Sequence, residues 1–160
     1  MASTLERVET FAALRQPDCH VTVIHGDARE TELGGLFDGI VTSPPYPCLI
    51  DYHDQHRYAY ELLGLEERRT TELGRPTGGV GREAVRAYVQ GVATVLTNAR
   101  RRLRLGATVC IVVNDRRNLY EEILARAGLR LEDRLERHVN RRTGRRAGQY
   151  DESILVCRAL

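Results

Sequence analysis

The sequence predicts an α/β fold in a single domain over residues 1–160, with a layered sheet that binds its ligands at the carboxyl edge of the strands. Short β-branched runs alternate with helical segments over most of the chain. Two further strands close the sequence on either side of an Arg-rich turn. A chain of 160 residues with 42% hydrophobic content is large enough to bury the core of one such domain.

Helices are predicted where apolar residues recur at helical spacing. Gly106 is expected to end the longest one and Gly128 the last one, because glycine commonly follows a helix. The segment between Glu66 and Arg82 is charged and contains glycines, and is expected to be a loop. The predicted helices are Thr4–Leu14 on the surface, part of Ile50–Leu65, the amphipathic Glu83–Arg104, and Leu119–Arg126.

Strands are predicted from β-branched runs bounded by turn residues. The first two are expected to deliver polar residues at their carboxyl ends, Asp27 after one and Ser43 after the other. The last two are expected to be antiparallel neighbours. The predicted strands are His20–Gly26, Phe37–Thr42, Ala107–Val113, Leu129–Val139 and Glu152–Cys157.

Composition excludes several classes of protein. No run approaches the roughly 18 apolar residues that a membrane span requires, and the polar start of the chain does not resemble a secretion signal. We therefore expect a cytoplasmic protein with no membrane partner. The four cysteines are scattered without Cys-x-x-Cys spacing, which indicates neither a zinc knuckle nor a disulfide framework.

Positive charge is concentrated in one part of the sequence. The net charge of +2 identifies no partner, but residues 1–99 hold 9 Arg and 14 acidic residues, whereas residues 100–146 hold 14 Arg and 6 acidic residues. There is no lysine. The richest cluster is the turn Arg137–Arg146, for which phosphate contact and a solvated hairpin tip are both open interpretations.

The sharpest motif is Ser43–Tyr46, with the sequence Ser-Pro-Pro-Tyr directly after an apolar strand. In that position it resembles the catalytic tetrapeptide of the S-adenosylmethionine-dependent DNA amino-methyltransferases, which modify cytosine N4 or adenine N6. The following Ile50–Tyr52 and His56–Arg57 are similar to a subgroup of these enzymes. The resemblance covers about residues 18–158 and implies a partial Rossmann-like methyltransferase sheet of parallel strands flanked by helices, with a C-terminal antiparallel strand pair.

The chemistry of the reaction explains the motif. The amine of cytosine or adenine is a poor nucleophile because its lone pair is delocalised into the ring. The resemblance implies that the Ser43 hydroxyl and the Pro44 carbonyl accept hydrogen bonds from the amine, while Pro45 stiffens the loop. Tyr46 would stack on the extruded base, although a core aromatic with a satisfied hydroxyl is the alternative. In the similar enzymes, serine before the prolines favours cytosine N4.

The same resemblance places the cofactor beside an acidic residue at the end of the preceding strand. His25–Ala28 occupies that place, which makes Asp27, Ala28 and Ser43 the candidate cofactor contacts. An Asx turn or helix cap is the alternative role for Asp27.

The chain departs from the family pattern at one important point. The Gly-rich turn that holds the methionine part of the cofactor, and the acidic residue that binds its ribose, are not found. The glycines at 78, 79 and 81 follow a loop and are expected to form a flexible connection. Three explanations are open: a second chain or a second copy completes the sheet, the chain is an inactive remnant, or the cofactor binds in an unusual way. The first two are favoured.

The remaining candidates concern the substrate. His53 and His56 share a helical face, but their spacing is not that of a metalloprotease and we expect no metal site. The function predicted is methyl transfer to DNA, of the restriction–modification type, with RNA or a non-catalytic nucleic-acid-binding or assembly subunit as alternatives. Candidate substrate contacts are Asp51, Tyr52, His56 and Arg57 near the base pocket, and Arg141, Arg142, Arg145 and Arg146 on phosphate.

Overall fold

The computed structural model describes residues 3–14, 16, 18–47, 51–74, 81–141 and 148–160, with the backbone alone at 140, 141 and 148–150. Five α-helices, one 3-10 turn and four strands lie in these ranges. In chain order they are α1 (Thr4–Ala13), β1 (Phe37–Thr42), α2 (Tyr52–Gln55), α3 (Arg57–Leu63), the 3-10 turn Arg69–Thr71, α4 (Arg82–Arg100), β2 (Leu103–Val113), α5 (Tyr120–Ala127), β3 (Leu129–Arg141) and β4 (Gly148–Ala159).

The four strands form one mixed sheet in the order β1-β2-β4-β3. Strand β1 is parallel to β2, whereas β4 is antiparallel to both of its neighbours. Because β1 and β2 are parallel, the loops that follow them emerge at the same edge of the sheet. The predicted α/β class, with a parallel pair and a C-terminal antiparallel pair, is confirmed.

The core lies between one face of the sheet and the helices α4 and α5. Alternate residues of β2 point into it, so that Val109 and Ile111 have no exposed surface, and Leu155 and Cys157 of β4 meet them across the ladder. Complete burial of an aliphatic side chain contributes about 1.5–3 kcal/mol. This layer fixes the position of the β1 and β2 carboxyl ends relative to α4.

Helix α1 forms as the sequence predicts. Its first turn carries a capping box, in which the Ser3 hydroxyl accepts a hydrogen bond from the Glu6 amide at 3.2 Å and the Glu6 carboxylate accepts one from the Ser3 amide. None of its residues is buried, and Phe11 is 75% exposed. The apolar side of α1 therefore packs on nothing that the structure describes.

The strand predicted over His20–Gly26 is wrong. The segment forms no strand pairing, and Val21 and Val23 are 81% and 89% exposed. A strand needs a neighbour to satisfy its backbone groups, and no strand in the described part of the chain lies beside this one. The β-branched residues favour a strand, but the described residues offer this segment no neighbouring strand with which to pair.

The boundary between α4 and β2 also differs from the prediction. The helix ends at Arg100 instead of Arg104, and the strand begins at Leu103 instead of Ala107. Pairing with β1 is the reason, since the Phe37 amide donates to the Arg102 carbonyl at 2.8 Å and draws the chain into the ladder. Gly106 does not end the helix but lies inside β2 with φ 74°.

The remaining elements agree with the sequence. Helix α5 ends at Gly128, which adopts a left-handed φ of 67°. The closing strands are antiparallel neighbours, as predicted, and are longer than expected. Helices α2 and α3 fall within the segment predicted to be partly helical.

Strand β1 leaves one edge of the sheet open. Among the described strands it pairs with β2 alone, so the backbone groups on its other side have no ladder partner. The face of the sheet opposite the helices is also uncovered at this end, where Val41 is 85% exposed beside the half-buried Cys110 and Val156. The described helices include none with the length and hydrophobicity to span a bilayer.

Candidate active site

The Ser43–Tyr46 loop leaves the carboxyl end of β1 and is attached to the next strand of the sheet. The Ser43 hydroxyl donates to the Val112 carbonyl of β2 at 3.1 Å. A hydroxyl has one proton and two lone pairs, so a serine that donates to the main chain can still accept hydrogen bonds from a ligand. The contact orients Ser43 as an acceptor.

Two buried tyrosines hold the second proline of the loop. The Tyr88 hydroxyl on α4 donates to the Pro45 carbonyl at 2.8 Å and lies 3.0 Å from the Tyr120 hydroxyl on α5. Both rings are 2% exposed. Burial raises the pKa of Tyr88 to about 12 and raises that of Tyr120 as well. Both hydroxyls are therefore protonated at neutral pH.

Tyr46 is anchored through its hydroxyl, which donates to Glu152 Oε1 at 2.6 Å. Glu152 is 4% exposed and its second oxygen pairs with Arg137 of β3. The Tyr46 ring is half-buried and borders a small cavity of about 100 Å³ beside Asp115. The hydroxyl is satisfied, as one interpretation of the sequence expects, while the ring keeps an accessible side.

A larger cleft lies on the other side of the loop, with a volume of about 800 Å³. This volume is typical of small-molecule sites. The cleft brings together the candidate cofactor contacts Asp27, Ala28 and Ser43, and Pro44 lies beside them. Its lining consists of His25–Arg29, Thr42–Pro45, Glu66–Arg68, Thr70–Thr71, Leu73, and an apolar floor of Val92, Val95 and Leu96 on α4.

Asp27 is held by its near neighbour Arg29. The Asp27 carboxylate accepts from the Arg29 backbone amide at 2.9 Å, which is an Asx turn, and from the guanidinium at both oxygens. The Arg29 side-chain hydrogen bonds, followed by its backbone hydrogen bond, lower the pKa of Asp27 to about 2. Asp27 therefore forms the Asx turn that was its alternative role, and it also lines the cleft.

Asn98 on α4 fixes the same segment and was missed by the sequence interpretation. Its Nδ2 donates to the Ala28 carbonyl at 3.2 Å and to the Thr31 carbonyl at 2.9 Å. The turn is tight, since a Cβ at Gly26 would lie 2.8 Å from Thr31 Oγ1. One amide thus ties the segment that carries Asp27 to the helix that floors the cleft.

The chain is similar to known methyltransferases. The chain is 38% identical over 165 positions to the type II methyltransferase M.MjaII of Methanocaldococcus jannaschii, and the match covers 94% of this chain. Over most of its length the chain is thus similar to a type II methyltransferase, which is consistent with the DNA amino-methyltransferase family that the Ser43–Tyr46 motif resembles. It spans 31% of the length of this curated relative. No family model matches the sequence.

Solved structures similar to this chain include two proteins of Thermus thermophilus. TrmN is 17% identical with a TM-score of 0.45, and the match covers 98% of this chain and 32% of TrmN. TTHA0409, a putative DNA modification methylase, is 23% identical with a TM-score of 0.46, and the match covers 84% of this chain and 52% of TTHA0409.

Four of the predicted substrate contacts lie outside the large cleft. Asp51 caps α2 by accepting from the Asp54 amide at 2.8 Å, and its other oxygen pairs with Arg69 at 3.2 Å. The Tyr52 amide donates to Glu72 at 2.9 Å. These contacts fasten the segment after the Ser43–Tyr46 loop to the 3-10 turn and to Glu72 just after it.

His56 and Arg57 are exposed. His56 lies at the junction of α2 and α3, and Arg57 pairs with Glu61 at 2.7 Å along α3. His53, which the sequence suggested only as a metal candidate, is 9% exposed and packs its ring 4.0 Å from that of Tyr60. Within the described ranges no group of three or more His, Cys, Asp or Glu side chains is placed to hold a metal ion.

The basic turn is only partly described. Arg141 ends β3, whereas Arg142, Arg145 and Arg146 lie outside the described residues, as do the glycines at 78 and 79. The base of the turn is a regular antiparallel ladder in which His138 Nδ1 lies 2.9 Å from Asp151. In this ladder the pair of His138 and Asp151 is next to the pair of Arg137 and Glu152.

Proposed function

We propose that this chain carries the catalytic part of an S-adenosylmethionine-dependent methyltransferase that modifies an exocyclic amino group in DNA, with cytosine N4 preferred over adenine N6. The observation that carries the proposal is the position of Ser43 and Pro44 in the wall of the cleft that also contains Asp27 and Ala28. A methyl donor in that cleft would lie next to the groups proposed to bind the amine. The whole of residues 1–160 is proposed to act as one catalytic domain.

The residues of the cleft fit the proposed cofactor. The apolar floor of Val92, Val95 and Leu96 suits an aromatic ring system, and Asp27 at the rim offers acceptors for an amine. Each carboxylate oxygen can accept more than one hydrogen bond, so the contacts from Arg29 leave Asp27 capable of binding a further donor. When bound, S-adenosylmethionine supplies a methyl group on a positively charged sulfur.

The protein groups act on the amine. Ser43 Oγ accepts a hydrogen bond from one amine hydrogen, because its own proton is directed to Val112. The Pro44 carbonyl accepts from the other. Held in this way, the nitrogen would present its lone pair to the methyl carbon, and the N–C bond would form as the C–S bond breaks. S-adenosylhomocysteine would leave, and the methylated nitrogen would release one proton to water. Tyr46 supports the base with the accessible side of its ring.

A second polypeptide or a second copy is proposed to complete the sheet. The open edge of β1 and the exposed Val41 support this, since parallel sheets are ordinarily covered on both faces. The completing strands would supply the Gly-rich cofactor segment that this sequence does not contain. Sedimentation of the purified chain separates the two cases, because self-association raises the mass above 18.1 kDa without any added protein.

DNA is the proposed macromolecular substrate and the cytoplasm the proposed compartment. Arg141, Arg142, Arg145 and Arg146 are proposed to contact phosphate, so affinity for DNA should fall steeply with added salt. Asp51, Tyr52, His56 and Arg57 are proposed to support the base pocket from the segment beyond the loop. RNA remains the alternative substrate because the amino chemistry is the same.

A non-catalytic assembly subunit is the second candidate function. The open edge of β1 favours it, since this surface could serve docking alone. In that case the Ser43–Tyr46 loop would have no chemical role. The two candidates differ in their response to the methyl donor.

Calorimetric titration with S-adenosylmethionine and S-adenosylhomocysteine, followed by transfer of labelled methyl to DNA, tests the proposal. If a second copy completes the sheet, we expect micromolar binding and label on cytosine N4 with the purified chain alone. If a second polypeptide completes it, we expect both only after addition of the partner that co-purifies from the native cell. Saturable binding without methyl transfer to DNA or RNA would favour the assembly subunit. Failure to bind the cofactor even with the co-purifying partner would overturn the enzymatic proposal.

A further inference from the structure

The Pro44–Pro45 segment cannot fasten itself to the fold through its own amide protons. Proline has no N–H group, so the two central residues of the loop can only accept hydrogen bonds. The fixed φ of each proline makes the segment stiff, but a stiff segment can still pivot about its ends. A donor from the surrounding structure is therefore needed to fix its orientation.

Tyr88 provides such a donor from the buried side. Its hydroxyl is 2.8 Å from the Pro45 carbonyl and is reached only through the core, since the ring is 2% exposed. Gly74, with φ 75°, packs against the same ring, and a Cβ there would lie 3.2 Å from both Tyr88 Cδ2 and Pro47 Cα. The ring thus has little space in which to move.

The direction of the hydrogen bonds follows from the chemistry of the three groups. The Pro45 carbonyl can only accept, so the Tyr88 proton points to it. In the 3.0 Å contact between the hydroxyls, Tyr120 must then be the donor and Tyr88 the acceptor. The Tyr120 amide is itself held by Asp115 at 3.1 Å, just after β2. The chain of bonds runs from Tyr120 through Tyr88 to the loop.

We infer that Tyr88 is a positioning residue for methyl transfer: by fixing the Pro45 carbonyl, its hydroxyl sets where Ser43 and Pro44 stand in the cleft, while Tyr120 donates a hydrogen bond to that hydroxyl. The inference rests on the proposed function. It assigns the positioning of the loop to side chains of α4 and α5, which lie outside the Ser43–Tyr46 tetrapeptide that carries the family resemblance. Neither tyrosine lines the large cleft, so both act through the loop and not on the ligand.

The test compares Tyr88→Phe with Tyr120→Phe in the full chain, with any partner that the methyl-transfer assay requires. Both variants delete one buried hydroxyl and break the bond between the tyrosines, so similar losses of thermal stability are expected. Only Tyr88→Phe removes the donor to Pro45. We expect kcat to fall roughly tenfold or more in Tyr88→Phe and severalfold less in Tyr120→Phe, with the KM for the methyl donor within about twofold of wild type in both.

Equal kcat values in the two variants, or an unchanged kcat in Tyr88→Phe, would overturn the inference. A second readout works without turnover: the ¹³C shift of the Pro45 carbonyl, detected through the Tyr46 amide, should move in Tyr88→Phe and stay close to wild type in Tyr120→Phe. If wild type transfers no methyl group, the proposed function fails while the carbonyl shift still decides whether Tyr88 holds the loop. An unmoved shift in Tyr88→Phe rejects the positioning role.

Discussion

The Ser43 hydroxyl at the end of β1 donates its proton to the carbonyl of Val112 in β2, 3.1 Å away. The bond joins two parallel strands just where both chains leave the sheet, which is the usual position for ligand chemistry in α/β proteins. It also gives the hydroxyl a fixed polarity, with the proton directed inward and the lone pairs available to the cleft.

Replacement of Ser43 by alanine is therefore expected to remove the acceptor that we propose acts on the amine. We expect kcat for methyl transfer to fall roughly 10²-fold, with a much smaller change in affinity for the cofactor. Thr10→Ala is the matched control, because the Thr10 hydroxyl also donates to a backbone carbonyl but lies on exposed α1. Equal activity in Ser43→Ala and the control would exclude a chemical role for Ser43.

The ion pair between Asp27 and Arg29 predicts a pH effect on stability. Hydrogen bonds from Arg29 lower the pKa of Asp27 to about 2, compared with about 3.9 for an unperturbed Asp. A lowered pKa stabilises the folded state above the unfolded value, and this contribution disappears as the pH falls toward 2. The free energy of unfolding of wild type should thus exceed that of Asp27→Asn by a constant amount above about pH 5, and the difference should shrink between about pH 4 and 2.

Urea unfolding at a series of pH values measures this difference. Arg29→Ala is the matched variant, since it removes the donor and should abolish the same pH-dependent component. A difference between wild type and Asp27→Asn that stays constant down to pH 2 would show that the pair does not hold in solution.

The sequence predicted the parts of the site that depend on local pattern. Ser43–Tyr46 stands where a strand meets a loop, and the β-branched runs of β1 and β2 were sufficient to predict both strands. The segment His20–Gly26 has the same composition as a strand and yet forms none, because pairing requires a neighbour that local propensity does not supply.

The supporting residues could not be found in the same way. Tyr88 falls on the apolar side of a long amphipathic helix and is buried, but its hydrogen bond reaches Pro45, 43 positions earlier. Glu152 begins a predicted strand and gives no sign of its contact with Tyr46, 106 positions away. Such pairs arise from tertiary packing, which one sequence does not reveal.

Asn98 offers a test of the cofactor side of the cleft. Alanine at this position should release the Ala28 and Thr31 carbonyls from α4 and loosen the segment around Arg29. We expect faster tryptic cleavage after Arg29 and roughly tenfold weaker binding of S-adenosylhomocysteine. Gln90→Ala, on the same helix, serves as the control, and cleavage at an unchanged rate in Asn98→Ala would show that the tether contributes nothing.

The buried carboxylate of Glu152 gives a prediction about folding that does not depend on activity. Glu152→Gln keeps an oxygen for the Tyr46 hydroxyl but removes the charge that faces Arg137, and Glu152→Ala removes both contacts. We expect losses in the free energy of unfolding of about 1–2 kcal/mol for glutamine and about 3 kcal/mol or more for alanine. Glu132→Gln is the control, because its pair with Arg158 lies on the surface, where water and salt screen it. If Glu152→Ala unfolded at the same urea concentration as this control, the carboxylate would not stabilise the closing strands, and Tyr46 would have to be held by other contacts.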